Sequence, residues 1–297
     1  MIYYASLMKY GSKYKLTCLD VERGLLHVDR RISEKGSINR QKLKHNVIRA
    51  RNMVYAYALS NPFSHFITLT LDSTKIDRYD LSGYIKKLGQ FLYNYSRRKL
   101  PEGERIIYLL LPELHRPEKQ SRNSKSGNGI LRAVHLHGLI RIPSTELTPF
   151  EYGKHPAHLV KKGYLNFPEY QAKFGHCSLS PIRSVEAVAS YTTKYLFKNV
   201  TDMADRVNCR LYYSSKGLSA GELVFRKFVE YSGDFDFANE FCKIRWFDHE
   251  DELYTVHEIL DDIYVPEWVE ISEPLPWDDE APPEAIQIPT AEQLSLF

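Results

Sequence analysis

Two histidines separated by one residue, His135 and His137, stand in the apolar stretch from Ala133 to Ile140. This stretch predicts a β-strand, and alternate side chains of a strand point to the same face of a sheet. Both imidazoles therefore share one face, while Leu136 points into the core. Neutral imidazole is a common metal ligand, so the pair is a natural half of a metal site. The simpler alternative is two surface histidines.

A carboxylate precedes this pair on the segment that we interpret as the neighbouring strand. Glu113 ends the apolar run Ile106 to Leu111, where a charged side chain is unexpected unless it has a function. If segments 105–114 and 131–142 form a hairpin, Glu113 falls beside the histidines. His115 is the competing third ligand, since it lies on the same strand face as Glu113. Two imidazoles and one carboxylate leave coordination positions open for water or a phosphate oxygen, as catalysis requires.

A pair of tyrosines, Tyr191 and Tyr195, is spaced four residues apart in a segment that predicts a helix over 183–199. At this spacing they share one helix face, and Lys194 and Lys198 form a second such pair. A tyrosine hydroxyl, with an ordinary pKa of about 10, is a poor nucleophile. A divalent metal that polarises the attacked phosphate, together with nearby lysines, lowers that barrier. The alternative is a pair of core-edge residues, since the chain has 21 tyrosines.

The elements that must position these groups follow from hydrophobic periodicity. Helices are predicted over 37–59, 80–98 and 183–199, and strands over 2–9, 14–28, 66–71, 105–114 and 131–142. The two N-terminal strands would meet at the turn Gly11-Ser12. Helices alternating with strands, and a hairpin among the strands, indicate an α+β fold in which a central antiparallel sheet is flanked by helices.

Charge is distributed very unevenly along the chain. Residues 1–232 hold 38 Lys and Arg against 19 Asp and Glu, and residues 233–297 hold two against 18, so charges of +19 and −16 sum to the stated +3. A body this basic is expected to attract a polyanion, with nucleic acid the leading candidate. We predict a basic domain over 1–232, a partly packed acidic extension over 233–269 and a disordered acidic tail over 270–297.

Composition excludes several other classes of protein. The four cysteines are scattered and contain no CxxC pair, which argues against a disulfide scaffold and a cysteine-based zinc site. His155, His158, His176 and Cys177 fit no common zinc spacing, and we interpret them as scattered loop residues. No apolar run approaches the roughly 20 residues of a membrane span, and the N-terminus lacks a secretory pattern. We expect a cytoplasmic protein with no membrane partner.

Three ordered motifs carry a family resemblance. They are Phe66-Ile67-Thr68-Leu69-Thr70, His135-Leu136-His137 and Tyr191-Thr192-Thr193-Lys194-Tyr195, with the flanking segments Pro112 to His115 and Arg210 to Leu218. This set resembles the HUH endonucleases, and more specifically the two-tyrosine rolling-circle replication initiators of small phages and plasmids. The resemblance extends over about residues 37–220. It implies the family's fold, a ferredoxin-like antiparallel sheet flanked by helices.

The resemblance also implies a role for each site residue. His135 and His137 would bind Mg²⁺ or Mn²⁺, with Glu113 as third ligand, although the 21 residues between Glu113 and His135 make a longer hairpin than is usual. Tyr191 or Tyr195 would attack a DNA phosphate at the origin, leaving a 5′-phosphotyrosine and a free 3′-OH for the host polymerase. Lys194 would hold the scissile phosphate or neutralise its developing charge. Single-tyrosine members also exist, and in that case Tyr195 is structural.

Two further sets of residues are predicted to bind partners. The basic members of the first predicted helix and Lys198 are candidates for DNA contacts: Arg40, Lys42, Lys44, Arg49 and Arg51. A solvated helix face explains the helix set nearly as well. At the C-terminus, Gln293, Leu294, Leu296 and Phe297 resemble the short peptide by which bacterial proteins bind the replicative sliding clamp. The alternative is that this peptide folds back onto the domain.

The predicted function is a metal-dependent nickase and ligase that acts on single-stranded DNA at an origin, in the cytoplasm of a bacterial host. The chain has no GxxxxGK[ST] motif, so strand separation would depend on a host helicase. The enzymatic rivals are an HUH transposase or relaxase with the same chemistry. The rival from another class is a non-catalytic nucleic-acid-binding module, which stacks bases on sheet aromatics and needs no convergent metal ligands.

Overall fold

The computed structural model describes residues 2–19, 40–114, 133–193, 210–239 and 242–258. The chain divides into two units. The first comprises Met1–Ser60 with Ser219–Phe297, and the second comprises Asn61–Leu218. Helices and two antiparallel sheets confirm the predicted α+β class. The domain boundaries at residues 232 and 269 stay predictions.

In chain order, the helices and strands are β1 (Ile2–Tyr10), β2 (Lys13–Leu19), α1 (Arg40–Ser60), β3 (His65–Thr70), α2 (Leu81–Lys99), β4 (Ile107–Leu114), β5 (Val134–Arg141), β6 (Thr148–Pro149), α3 (Ala157–Lys161), β7 (Leu165–Asn166), α4 (Pro168–Lys173), β8 (Cys177–Pro181), α5 (185–193), β9 (Tyr213–Ser214), β10 (Glu222–Tyr231), β11 (Phe237–Ala238), β12 (Cys242–Phe247) and β13 (Val256–Glu258). Short 3-10 segments occupy Ser144–Glu146 and Glu250–Thr255.

The first unit is built on a six-stranded antiparallel sheet with the order β11-β12-β2-β1-β10-β13. The predicted turn Gly11-Ser12 joins β1 to β2, and Tyr10 pairs with Lys13 across it. Gly11 has φ +62°, a left-handed conformation that glycine adopts without steric cost. A side chain there would also lie 2.6 Å from the carbonyl oxygen of Leu59.

Alternate residues of β1 and β2 bury one face of this sheet. The core includes Leu7, Leu16, Val229 and Phe247. On the other face the ring of Tyr55, from α1, lies 5.7 Å from that of Trp246 in an edge-to-face contact. The predicted helix over 37–59 is thus confirmed as α1, and it packs through its apolar stripe.

The second unit is built on a seven-stranded antiparallel sheet with the order β6-β7-β8-β3-β5-β4-β9. Its centre is β3-β5-β4. Residue Thr68 pairs with His137 across β3 and β5, and Glu113 pairs with His135 across β4 and β5. The predicted antiparallel hairpin over 105–142 is therefore confirmed.

Helix α2 covers one face of the second sheet. The Asp80 carboxylate caps it by accepting a hydrogen bond of 2.8 Å from the Gly83 amide, which satisfies a first-turn donor. Its buried side chains join the core formed by Leu69, Leu136 and Ile140 of the sheet. Burying each such aliphatic or aromatic side chain contributes about 1.5–3 kcal/mol, so this face is a firm support for the strands.

Candidate metal centre and the tyrosine beside it

The register of β4 and β5 brings the three predicted ligands together. Glu113 is directly opposite His135, and His137 lies two residues further along the same strand. Because strand side chains alternate, all three occupy one face of the sheet, whereas Leu136 is fully buried on the α2 side. The interpretation of Glu113 as a neighbour of the two histidines is therefore correct in geometry.

The atoms that could bind a metal converge closely. Glu113 Oε2 lies 3.2 Å from His135 Nε2 and 2.8 Å from His137 Nε2. The two imidazoles meet edge to face, with ring centroids 4.5 Å apart and an angle of 87°. One ligand atom from each residue lies within 4.8 Å of the others. Among the residues that the structure describes, this is the one such group of His, Cys, Asp or Glu side chains.

The surroundings suit a cation that must also meet a substrate. The side chains are mostly buried, with 10% of Glu113, 14% of His135 and 13% of His137 exposed. A mixed set of two nitrogens and one oxygen accepts several divalent ions, so it does not identify the ion. Three protein ligands leave further positions for water or a phosphate oxygen. The residues present fit a metal site with open coordination positions.

Thr68 orients one of the histidines. Its Oγ1 lies 3.0 Å from Nδ1 of His137, on the neighbouring strand at the directly paired position. When Nδ1–H donates to this hydroxyl, the lone pair of Nε2 is directed at the carboxylate side of the site. A hydrogen bond to the second ring nitrogen is how proteins commonly fix a metal-ligating histidine. The structure thus places Thr68, a member of the first motif, at the site.

Phe66 connects the histidines to the predicted nucleophile. Its ring stacks beside that of His137 at 6.2 Å, with an angle of 20°. On its other side it meets the ring of Tyr191 at 5.3 Å and 62°. We call Glu113, His135 and His137 the triad. Helix α5, which carries Tyr191, thus lies on the same face of the second sheet as the triad. The sequence indicated no role for Phe66 itself, although its alternation with Thr68 placed the two residues on one face.

Helix α5 holds Tyr191 at its edge rather than in the core. Ala189 and Thr192 are fully buried, while 47% of Tyr191 is exposed. The Thr192 hydroxyl donates to the Val188 carbonyl at 2.7 Å, within the helix. The Tyr191 ring is therefore anchored on one side by Phe66 and is open to solvent on the other.

Several predicted site residues lie outside the described residues. They are His115, Lys194, Tyr195, Lys198 and the C-terminal set Gln293, Leu294, Leu296 and Phe297. The roles of these residues stay predictions. The assignments of Tyr191 as nucleophile and of Glu113, His135 and His137 as metal ligands also stay predictions.

The predicted DNA-binding helix is described in part. Arg40, Lys42 and Lys44 belong to α1, but their side chains lie outside the described part. Arg49 is exposed. Arg51 is half-buried, and desolvation lowers the pKa of its guanidinium. An exposed Arg49 is compatible with the phosphate contact that the sequence predicts.

The residues that we set aside as a zinc site do not assemble into one. Within the described chain, none of His155, His158, His176 and Cys177 belongs to a metal-binding group. The His155 ring stacks on Phe150 at 4.1 Å. The buried Cys177 thiol lies 3.2 Å from Asn166 Oδ1 and donates to it.

Comparison with known proteins adds no relative. No protein-family model matches the chain, and neither the curated proteins nor the solved structures contain a match. Among the helices of the described ranges, none has the length and apolar character needed to cross a membrane. Functional inference therefore depends on the site itself.

Proposed function

We propose that the chain is a metal-dependent endonuclease that nicks and rejoins single-stranded DNA through a tyrosine, as rolling-circle replication initiators do. One observation carries the proposal. The triad and the exposed ring of Tyr191 lie on one face of the second sheet. The Phe66 ring contacts both the His137 ring and the Tyr191 ring. A phosphate bound at the triad would thus have a nucleophile beside it.

The proposed reaction is a transesterification. The phenolic oxygen of Tyr191 attacks a backbone phosphorus atom and forms a bond to it, while the bond from phosphorus to the 3′ oxygen breaks. The phenol gives up its proton, and the departing 3′ oxygen takes up a proton to become a hydroxyl. The products are a 5′-phosphotyrosine and a free 3′-OH, and the reverse reaction rejoins the strand.

The residues of the site have separate roles in this reaction. A divalent ion held by Glu113, His135 and His137 would polarise the phosphate and stabilise its developing charge. Thr68 keeps His137 in the orientation in which Nε2 faces the site. Phe66 limits where the Tyr191 ring can lie, which matters because attack needs reacting atoms about 3–3.5 Å apart. Lys194 would hold the scissile phosphate, as predicted from the sequence.

The charge of the chain supports a DNA substrate. The net +19 of residues 1–232 favours association with a polyanion. The predicted C-terminal clamp peptide, Gln293 to Phe297, and the host helicase and polymerase remain part of the proposal. A pull-down of the purified clamp by the full chain tests the first of these partners, with Leu296→Ala and Phe297→Ala as the matched loss variant.

The test is a nicking assay on a supercoiled plasmid that carries the replicon's own origin, with Mn²⁺ or Mg²⁺ and an EDTA control. Denaturing gels report the covalent adduct. We expect a metal-dependent adduct that Tyr191→Phe removes and the control variant Tyr152→Phe retains, since Tyr152 is an exposed tyrosine away from the triad. Tyr195→Phe shows whether the second tyrosine acts as well. Absence of nicking and adduct, with DNA binding retained, would leave the binding module as the better function.

The metal itself is tested without activity. An ion that binds the folded chain raises its melting temperature as its concentration exceeds the dissociation constant. We expect Mn²⁺ to raise the melting temperature of the wild type and to leave His135→Ala/His137→Ala unchanged. An equal rise in both proteins would place the ion elsewhere.

A further inference from the structure

The outward face of α2 is strongly basic. Leu81–Lys99 contains five Lys and Arg residues and no Asp or Glu. All five are exposed: Lys86, Lys87, Arg97, Arg98 and Lys99. The opposite stripe of the same helix, which includes Leu88 and Leu92, is buried in the core. The helix therefore separates an apolar face from a cationic one.

A groove of about 470 Å³ lies at the C-terminal end of this face, beside α4. It is lined by Phe91, Asn94, Arg97, Arg98 and Lys173. Three of these five side chains are cations and one is an amide that can donate hydrogen bonds. Such a lining suits an anionic ligand.

Aromatic rings steady the cations of this groove. The Lys173 ammonium lies 5.3 Å from the centroid of the Phe91 ring and 5.6 Å from that of Phe174. The Arg97 guanidinium lies 5.9 Å from the Tyr93 ring. These cation–π contacts restrain long side chains while their N–H groups stay available. Binding an anion therefore costs less side-chain entropy than it would with free lysines.

Few acidic side chains neutralise the cations of this surface. Glu169 of α4 lies 3.3 Å from Arg98 and 4.0 Å from Lys99. In the described ranges no acidic side chain forms an ion pair with Lys86, Lys87, Arg97 or Lys173. We call the set Lys86, Lys87, Arg97, Arg98 and Lys173 the α2 patch. Its charge is largely uncompensated.

The α2 patch and the triad lie on opposite sides of the second sheet. Helix α2 packs on the face that contains Leu136, whereas His135 and His137 point from the other face. A DNA strand at the triad thus cannot contact the patch without passing around the edge of the domain. Any DNA held by the patch would therefore be a different segment from the one at the triad.

We propose that the α2 patch binds the phosphate backbone of duplex DNA, separately from the single strand at the triad. The proposal rests on the proposed function in taking DNA as the polyanion. Lys86 and Arg97 are about 16 Å apart along a helix that rises about 1.5 Å per residue. Successive phosphates of one duplex strand advance by about 3.4 Å, so the patch spans several of them.

The groove chemistry favours a duplex backbone over a single strand. Non-specific single-strand sites stack successive bases on aromatic faces. In the α2 patch, the Phe91 ring is buried and covered by Lys173, and the Tyr93 ring is in contact with Arg97. The buried Phe91 ring supports a cation instead of offering a stacking face, and Tyr93, of which 58% is exposed, offers a single face rather than the succession of faces that such sites use. Contacts to phosphates alone would also make binding independent of sequence.

The experiment compares the full chain with two double variants, Lys86→Gln/Lys87→Gln and Arg97→Gln/Arg98→Gln. The matched control is Lys161→Gln/Lys162→Gln, which removes two exposed lysines at the end of α3. Binding to a duplex of arbitrary sequence and to a short single strand is measured over a range of salt. Nicking is measured on a short single-stranded origin oligonucleotide.

We expect each patch variant to lose about tenfold in duplex affinity and to lower the salt slope by about 1.8, because two phosphate contacts are removed. The control variant should keep the wild-type slope, and nicking of the short oligonucleotide should be unchanged in all variants. Equal duplex binding by patch and control variants would overturn the proposal, as would a loss that is as large on the single strand. If the wild type nicks nothing, the proposed function fails, whereas the duplex measurement still decides on the patch.

Discussion

The ring of Tyr191 rests against the ring of Phe66, with centroids 5.3 Å apart and planes inclined at 62°. Phe66 belongs to strand β3 and Tyr191 to helix α5. This contact is where the helix that carries the proposed nucleophile meets the sheet that carries the proposed ligands. Its geometry therefore sets the distance from the phenol to any phosphate held at the triad.

Removing the Phe66 ring should lower the nicking rate strongly and the affinity for the metal ion much less. In Phe66→Ala the Tyr191 ring loses its support, and a displacement of about 1 Å can cost about 100-fold in rate. Single-turnover nicking of an origin oligonucleotide measures the rate, and a Mn²⁺ titration measures the affinity.

Phe66→Tyr keeps a ring at the same place and is the conservative control. It should recover most of the rate lost in Phe66→Ala. A rate in Phe66→Ala equal to that of the wild type would show that the contact does not position Tyr191.

Replacing Thr68 by valine should weaken metal binding. The variant keeps the volume of the side chain but removes the hydroxyl 3.0 Å from His137 Nδ1. Loss of such an outer hydrogen bond lowers metal affinity by about 10–100-fold. Calorimetric titration with Mn²⁺ measures the change. Ser178→Ala, at the paired position on β8, is the control and should bind as the wild type does.

A side chain at residue 138 should disrupt the hairpin. A Cβ on Gly138 would collide with the carbonyl oxygen of Leu109 and lie 2.9 Å from Cα of Leu110. Gly138→Ala should therefore destabilise the chain by about 3 kcal/mol and weaken Mn²⁺ binding, since β4 and β5 must separate. Urea unfolding gives the free energy. Gly89→Ala, where a Cβ would meet only the Tyr108 hydroxyl at an ordinary contact distance of 3.7 Å, controls for the loss of a glycine.

The Cys177 thiol should contribute to stability below pH 9 and lose that contribution above it. Burial raises the pKa of this thiol from 9.0 to about 12. Above pH 9 the thiol of the unfolded chain loses its proton while the folded one keeps it, so unfolding is favoured as the pH rises toward 12. Cys177→Ser removes the titrating group.

The comparison of Cys177→Ser with the wild type isolates this one thiol. The free energy of unfolding should fall less steeply with pH in the variant, by up to about 1.4 kcal/mol per pH unit. Urea unfolding at about pH 8 and about pH 10 provides the measurement. Parallel pH profiles would contradict the raised pKa.

The local part of the fold was accessible from the sequence because its signals are local. Apolar periodicity predicted α2 and β3, and the alternation of His135 with Leu136 predicted which side chains share a face. The predicted hairpin then placed Glu113 beside the histidines. The pairing of two strands that follow each other in the chain can be predicted without long-range information. The positions of Glu113, His135 and His137 therefore followed from the residue types alone.

Long-range pairing was not accessible in the same way. Strands β10 and β12 pair with β1 and β2, over sequence separations that carry no periodic signal. Strand β8, which pairs with β3, was not among the predicted strands. The contact between Phe66 and Tyr191 joins two elements that are far apart in the sequence, and neither residue type predicts it. Packing between elements, rather than the pattern within them, decided these features.

Every described ligand of the triad comes from two strands that are consecutive in the chain. Residues 115–132 connect these strands in sequence and supply no described ligand. Lengthening a connection costs only about 0.6 kcal/mol for each doubling of its length. An engineered chain can therefore carry a longer connection after His115 while the register of β4 and β5 keeps the triad intact.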